Sequence, residues 1–312
     1  MDFHLKTQIP DNDLELDHTS TIILIGSCFS DEMTPHLEQN GFLVSGNPFG
    51  TLYHPSALAN VLQDSLDRTD SVSSYQKDDV FVSWSSSGKV YGYSEKELKQ
   101  KLVGLREELY AQLVKKDVLL IITFGSAWAY RHIDLDSIVG NCHKAPSDTF
   151  SKELSSVKEM LVQWKSVLKQ LKEINPSLKV MFTVSPVRPK RDGLIENNRS
   201  KARLIELAHA LSEKEYYYFP SYEIVVDELR DYQFYKQDRV HPSEEAVAYV
   251  WQSLAKTIFS EACLSLMKKV RGVKLNLAHR SHYAESKADH ERIALAEKVK
   301  ADLAKEHPEV KW

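Results

Sequence analysis

Residues 21–33 read TIILIGSCFSDEM. The opening run, Thr21 to Ile25, is apolar and β-branched without interruption, as a strand buried on both faces requires. Gly26-Ser27-Cys28 then stands where this strand ends and a helix should begin. A side chain at such a junction sits at the mouth of the sheet, beside backbone N–H groups and the positive end of a helix dipole, where a developing oxyanion is stabilised.

Similar runs recur at Asp117 to Thr123, Leu178 to Val184 and Tyr216 to Phe219, and Gly41 to Val44 offers a further strand. Between them lie amphipathic stretches. Leu154, Val157, Leu161, Trp164 and Leu168 follow three- and four-residue steps, as do Val247, Val250, Trp251, Leu254 and Ile258, so each set builds one apolar stripe. Alternating strands and helices predict an α/β fold: three α/β/α layers, a mostly parallel sheet and right-handed crossovers. Ligands are then expected at the carboxyl ends of the strands.

Residues Val80 to Tyr93 break the alternation and read as a hairpin, FVSW and KVYGY around Ser-Ser-Ser-Gly, inserted beside the site. Beyond about Ser260 the character changes again. Lys268, Lys269, Arg271 and Lys274 precede a helical stretch with Leu295, Val299 and Leu303 on one face. The expected organisation is a catalytic domain over residues 1–260 and a helical extension over 261–312, whose charge reads as a solvated face.

The chain has 312 residues, 42% apolar and 27% charged, so it can bury a full-sized core. A net charge of -4 supplies no strong field to draw nucleic acid or an anionic membrane. The opening residues MDFHLKTQIPDNDLELDH lack a signal peptide's apolar core, and no run reaches membrane-spanning length, so a cytoplasmic location is expected. Cys28, Cys142 and Cys263 lack CxxC spacing and suit reduced thiols. No HExxH, GxxxxGK[ST] or GxGxxG occurs, so neither metal nor nucleotide is expected as a cofactor.

A serine at residue 27 needs a base, and the base needs an orienting group. Asp238-Arg239-Val240-His241, ahead of Pro242 and an amphipathic helix, can fold the carboxylate back onto one imidazole nitrogen and leave the other for the nucleophile. With twelve histidines in the chain, a DxxH pair also arises by chance, and His241 can equally be a polar cap. Its combination with Ser27 is what favours chemistry.

Gly26-Ser27-Cys28-Phe29-Ser30 resembles the signature of the GSCFA family, related to the SGNH (GDSL-like) esterases. Further resemblance runs through Asn47-Pro48-Phe49-Gly50, the segment from Ile121 to Trp128, Asn141-Cys142-His143-Lys144, the segment from Thr183 to Arg188, Asp231 to Tyr235, and Asp238 to Ser243. It spans about Thr21 to Ile258 and implies a serine esterase or acyltransferase acting on a small-molecule or glycan acyl ester. It implies Ser27 as nucleophile, Asp238 and His241 as its partners, and the amides of Ser27 and Gly50 as oxyanion donors. Where SGNH enzymes carry Gly-x-Asn, this chain has Gly125-Ser126-Ala127. Loss of that donor would cost about 3 to 4 kcal/mol of transition-state stabilisation unless Ser126, Asn141 or His143 replaced it.

Asn47, Tyr53, Ser126, Trp128, Asn141, His143, Ser185 and Arg188 are candidate substrate contacts. Each also has an ordinary structural reading as turn, cap or solvated side chain. Two alternatives stay open: a Cys28-based enzyme, and a non-catalytic carbohydrate- or acyl-binding protein on the same fold.

Overall fold

In the computed structural model, residues 5–213, 215–280, 282 and 286–312 are described; the first four residues of the opening segment lie outside them. The expected alternation is present. The chain runs β1 (Thr21–Gly26), α1 (Cys28–Gln39), β2 (Leu43–Gly46), α2 (Pro55–Leu66), β3 (Ser74–Lys77), β4 (Val80–Ser83), β5 (Tyr91–Gly92), α3 (Glu95–Leu113) and β6 (Val118–Phe124). It continues through β7 (Trp128–His132), β8 (Ser137–Ile138), β9 (Phe150–Leu154), α4 (Val157–Ile174), β10 (Lys179–Val184), α5 (Gly193–Ser212) and β11 (Tyr217–Phe219). A short α6 (Ser221–Glu223) leads to α7 (Glu244–Ile258), α8 (Glu261–Ala278) and α9 (Lys287–Glu306).

The central sheet has the order β11-β10-β6-β1-β2, and its neighbours pair in parallel. Alternate residues of each strand enter opposite cores, because successive side chains leave a strand on opposite faces. Ile23, Ile25, Leu120, Ile122, Val180 and Phe182 join the core beneath α2, α3, α4 and α5. Ile22, Leu24, Leu119, Ile121 and Met181 join the core beneath α1 and α7. The fold is therefore three-layered α/β/α. From β1 the chain first moves outward to β2, then returns to β6 on the other side. The carboxyl ends of β1 and β6 thus form the topological switch point, where such sheets leave a crevice.

Several local expectations need correction. Leu154 belongs to β9, and the α4 stripe starts only after Ser156, whose hydroxyl and Glu159 close a reciprocal capping box. The Val80–Tyr93 segment is not a simple hairpin. β4 pairs with the preceding β3 as well as with β5, and KVYGY contributes only Tyr91 and Gly92 to pairing. A second small sheet, β8-β7-β9, was not anticipated, since Trp128–His132 shows no clean period-two alternation.

The segment after Ser260 packs on the α1 side. Cys263 and Met267 enter the second core, and the Lys311 amide donates to Gly41 O at 2.8 Å. On α9, Leu303 is buried while Leu295 and Val299 are exposed. No helix among the described residues is long and apolar enough to cross a membrane.

Candidate active site

Ser27 and Cys28 occupy the β1–α1 junction as the sequence indicates. Gly26 is obligatory there: its φ is 146°, and a Cβ would lie 2.3 Å from Thr123 O of β6. Ser27 is the N-cap of α1, with its Oγ accepting from Phe29 N at 3.3 Å, and is only 1% exposed. Cys28, the first helical residue, is partly exposed.

Asn47 braces this junction from the end of β2. Its Oδ1 accepts from Gly26 N at 2.7 Å, and its Nδ2 donates to Asp31 Oδ1 at 2.8 Å and Ser27 O at 3.4 Å. Thr51 Oγ1 donates to the second oxygen of Asp31 at 2.8 Å. Asn47 is thus a positioning residue, held at φ 45°, a conformation asparagine tolerates.

On the β6 side, Tyr53 O accepts from Gly125 N at 2.9 Å and Ser126 N at 3.0 Å. The Tyr53 ring packs against Gly125 and is partly exposed beside Cys28. Beneath the site lies Lys201, which the sequence reading missed. Its buried Nζ donates to Gly125 O at 2.9 Å and Ser185 O at 2.6 Å, fastening together the ends of β6 and β10. Burial lowers its pKa to about 7. A signal was present, since Lys201 falls in register with the buried face of α5 formed by Asn197, Leu204, Ala208 and Leu211.

Asp238 and His241 meet as expected. Asp238 Oδ2 lies 2.6 Å from His241 Nδ1, while Oδ1 accepts from the amides of Val240 at 2.8 Å and His241 at 3.0 Å. The His241 ring, then the two amides, hold the Asp238 carboxyl well below the usual carboxylate range. With Nδ1–H directed at the carboxylate, Nε2 carries the lone pair. Both side chains are exposed, 45% and 42%. The turn that bears them is tethered to α1 by Lys236 Nζ and Glu32 Oε1 at 3.1 Å, and to the β10 edge by Arg188 N donating to Val240 O at 3.2 Å. Among the described residues, Ser27 Oγ and His241 do not hydrogen-bond.

The oxyanion assignment changes in detail. Ser27 N donates to Thr123 O at 3.1 Å, and Gly50 N donates to Asn47 O at 2.7 Å in a tight turn. Neither amide is free. Gly50 instead serves close packing: at φ 74° it lies where a Cβ would meet Ser87 Oγ at 1.8 Å. Cys28 N, in the first turn of α1, has no intrahelical acceptor. Thr51 N likewise lacks a protein acceptor among the described residues. Both amides lie one residue beyond the expected donors.

Ala127 is fully buried in the core beneath α4 and α5, so a polar side chain at that position would face the core rather than Ser27. Of the proposed replacements, His143 is committed elsewhere. Its Nε2 meets Ser83 O at 2.7 Å, and its ring packs near Trp84. Asn141 Oδ1 caps the His143 amide at 2.8 Å, and Ser126 Oγ accepts from Trp128 N at 3.0 Å. Ser185 is 1% exposed, and its hydroxyl accepts from Val187 N at 3.3 Å in a tight turn. Trp128 Nε1 donates to Glu196 O at 3.3 Å, with Lys152 Nζ 4.7 Å over its ring. Arg188 lies across Tyr235. Among the described residues, no group of three His, Cys, Asp or Glu side chains can hold a metal ion.

The arrangement defines a parallel α/β protein with an Asp–His pair and a hydroxyl and a thiol at its strand ends. The pattern of the GSCFA family matches residues 21–254, and the chain belongs to that family. No curated protein matches it. Among solved structures, a Streptococcus pneumonia protein presented as a candidate platelet activating factor is 13% identical, covering 77% of this chain and 84% of its own, with a TM-score of 0.42. A family 3 carbohydrate esterase from Clostridium thermocellum is 10% identical, covering 81% and 99%, at 0.35. A carbohydrate esterase family 3 protein from Talaromyces cellulolyticus is 9% identical, covering 80% and 98%, at 0.36.

Proposed function

We propose that the protein is an acyl-ester hydrolase or acyltransferase, with His241 as general base and Asp238 as the group that orients it. The observation that carries this reading is the Nδ1 to Oδ2 contact of 2.6 Å, which leaves Nε2 free to accept a proton. Ser27 is the attacking hydroxyl. It adds to the ester carbonyl as His241 takes its proton, and the alcohol leaves with that proton. Water or a second hydroxyl then releases the acyl group. The substrate is a small molecule, such as an acylated sugar or lipid alcohol. The free amides of Cys28 and Thr51 are the donors best available to the oxyanion.

One observation favours a second reading, with Cys28 as nucleophile. Ser27 is almost fully enclosed and its Oγ caps the helix, whereas Cys28 at the same helix start is partly exposed. Burial, and then the charge of Asp31, raise the Cys28 pKa, so the thiol would also need His241 to remove its proton.

Intact-mass and peptide mapping after treatment with an organophosphonate or with iodoacetamide tests both. The serine reading expects a phosphonate adduct on Ser27 that disappears in His241→Ala. The cysteine reading expects His241-dependent alkylation of Cys28, and ester turnover that survives Ser27→Ala but not Cys28→Ala. Folded protein that reacts with neither reagent would overturn both and leave a binding protein.

A further inference from the structure

Arg188 leaves the carboxyl end of β10 and is braced against the His241 turn through its own amide. Its guanidinium lies 4.2 Å over the ring centroid of Tyr235 and 5.3 Å from that of Tyr232. Tyr235 in turn bridges to Pro242, the residue after His241. The guanidinium is therefore held over a tyrosine that pairs with the turn bearing His241.

Its electrostatic situation is unlike that of the other well-enclosed basic side chains. Arg106 meets Asp64 at 2.6 Å and the carbonyls of Thr69 and Ser71, and Lys201 reaches two carbonyls. Arg188 has no ion pair and no side-chain hydrogen bond to protein among the described residues, and its Nε is shut off from solvent without a partner. Guanidinium donors are rarely left unpaired when partly enclosed, because the lost hydration is not recovered. The same loop adds Lys190 and Arg191, while its one acid, Asp192, is paired with Lys152. Positive charge thus gathers at the edge of the sheet nearest His241.

We propose that the ester substrate carries an anionic group, a carboxylate or a phosphate, that pairs with the Arg188 guanidinium while the ester lies against His241. A fork of parallel donors fits either anion. The tyrosine stack fixes the plane of the fork, so the anion is read by direction as well as by charge. This inference rests on the acyl-ester reading for where the substrate sits, but the anion site itself does not depend on turnover.

Two measurements on the full chain test it. In the first, benzoate and inorganic phosphate are titrated at fixed ionic strength, following tryptophan fluorescence or thermal midpoint, in the native chain, Arg188→Met and Arg188→Lys. Saturable binding by one anion, lost in Arg188→Met and weakened in Arg188→Lys, is expected, and the anion that binds identifies the group. In the second, kcat/KM is compared for 4-acetoxybenzoate and its methyl ester. The native chain should favour the anionic ester, and Arg188→Met should lower the anionic-to-neutral ratio by about tenfold or more. Because the ratio is internal, a general loss of fold would not mimic this result. An unchanged ratio in Arg188→Met, or anion binding that persists in it, would overturn the proposal. If neither ester is turned over, the acyl-ester reading fails, and the titrations alone decide the anion site.

Discussion

The β1–α1 junction and the Asp238–His241 turn, the two halves of the proposed chemistry, are built in opposite ways. At the junction, Gly26, Ser27 and Asp31 are gripped by Asn47 and Thr51 of the loop after β2 and by the end of β6. The turn is exposed, and its main bonds are local, Lys236 N to His241 O and Arg239 N to Lys236 O among them. The proposed nucleophile is thus set by the core, while the proposed base is presented by a surface loop. Precision at the first costs buried polar contacts, whereas freedom at the second permits the imidazole to approach when substrate is bound.

The comparison is broken most severely at the base. His241→Ala should lower kcat/KM for a responsive ester by about 10²–10⁴-fold with little change in unfolding midpoint, because the side chain is exposed. Asp238→Asn should cause a similar loss by releasing the favoured tautomer, and a much smaller loss would show that Asp238 does not orient the base. On the rigid side, Asn47→Ala should cost both stability and activity. It strands Gly26 N and removes one of the donors to Asp31, a destabilisation of about 1–3 kcal/mol measurable by denaturant titration.

Lys201 sharpens the contrast through pH. An unfolded lysine keeps its proton to near its ordinary value of 10.5, whereas the buried amine releases it near 7. Between these values the unfolded state binds more protons, so this group makes stability rise with pH. Denaturation midpoints from pH 7 to 9.5 should show that rise in the native chain, and Lys201→Met should flatten it. A slope unchanged by the substitution would mean that the two carbonyls keep the ammonium charged. The smallest effect is expected at the tether: Lys236→Ala should alter kcat/KM only a few-fold, since an exposed ion pair is worth about 1 kcal/mol or less. The change should fade as salt rises.

Much of the fold was legible because buried parallel strands leave a plain mark. Thr21–Ile25 and Leu178–Val184 are apolar on both faces, and the helices between them carry single stripes. Less visible were Ser74–Lys77 and Trp128–His132, whose pairing is decided by distant partners and whose composition is mixed. In the site, the Asp238–His241 contact was readable from a three-residue spacing, since it forms within one turn. That the expected amide donors are already engaged was not legible, because only coordinates reveal that Ser27 N continues the ladder to Thr123 and Gly50 N closes its own turn. His143 and Ser185 looked available in a polar sequence but are consumed by Ser83 O and Val187 N. Lys201 left little mark in the sequence, because lysine is seldom fully buried.

The unequal construction of the two halves also has a signature in time. Amides in β1, and that of Ser27 on Thr123 O, can exchange with solvent only when the sheet itself opens, on the scale of global unfolding. The amides of Val240 and His241, each protected by one exposed carboxylate oxygen, should exchange through small local excursions that leave β1 untouched. The molecule would then breathe at His241 while Ser27 stays still, so that the fluctuations which move the proposed base are cheap and those which dismantle the protein are rare.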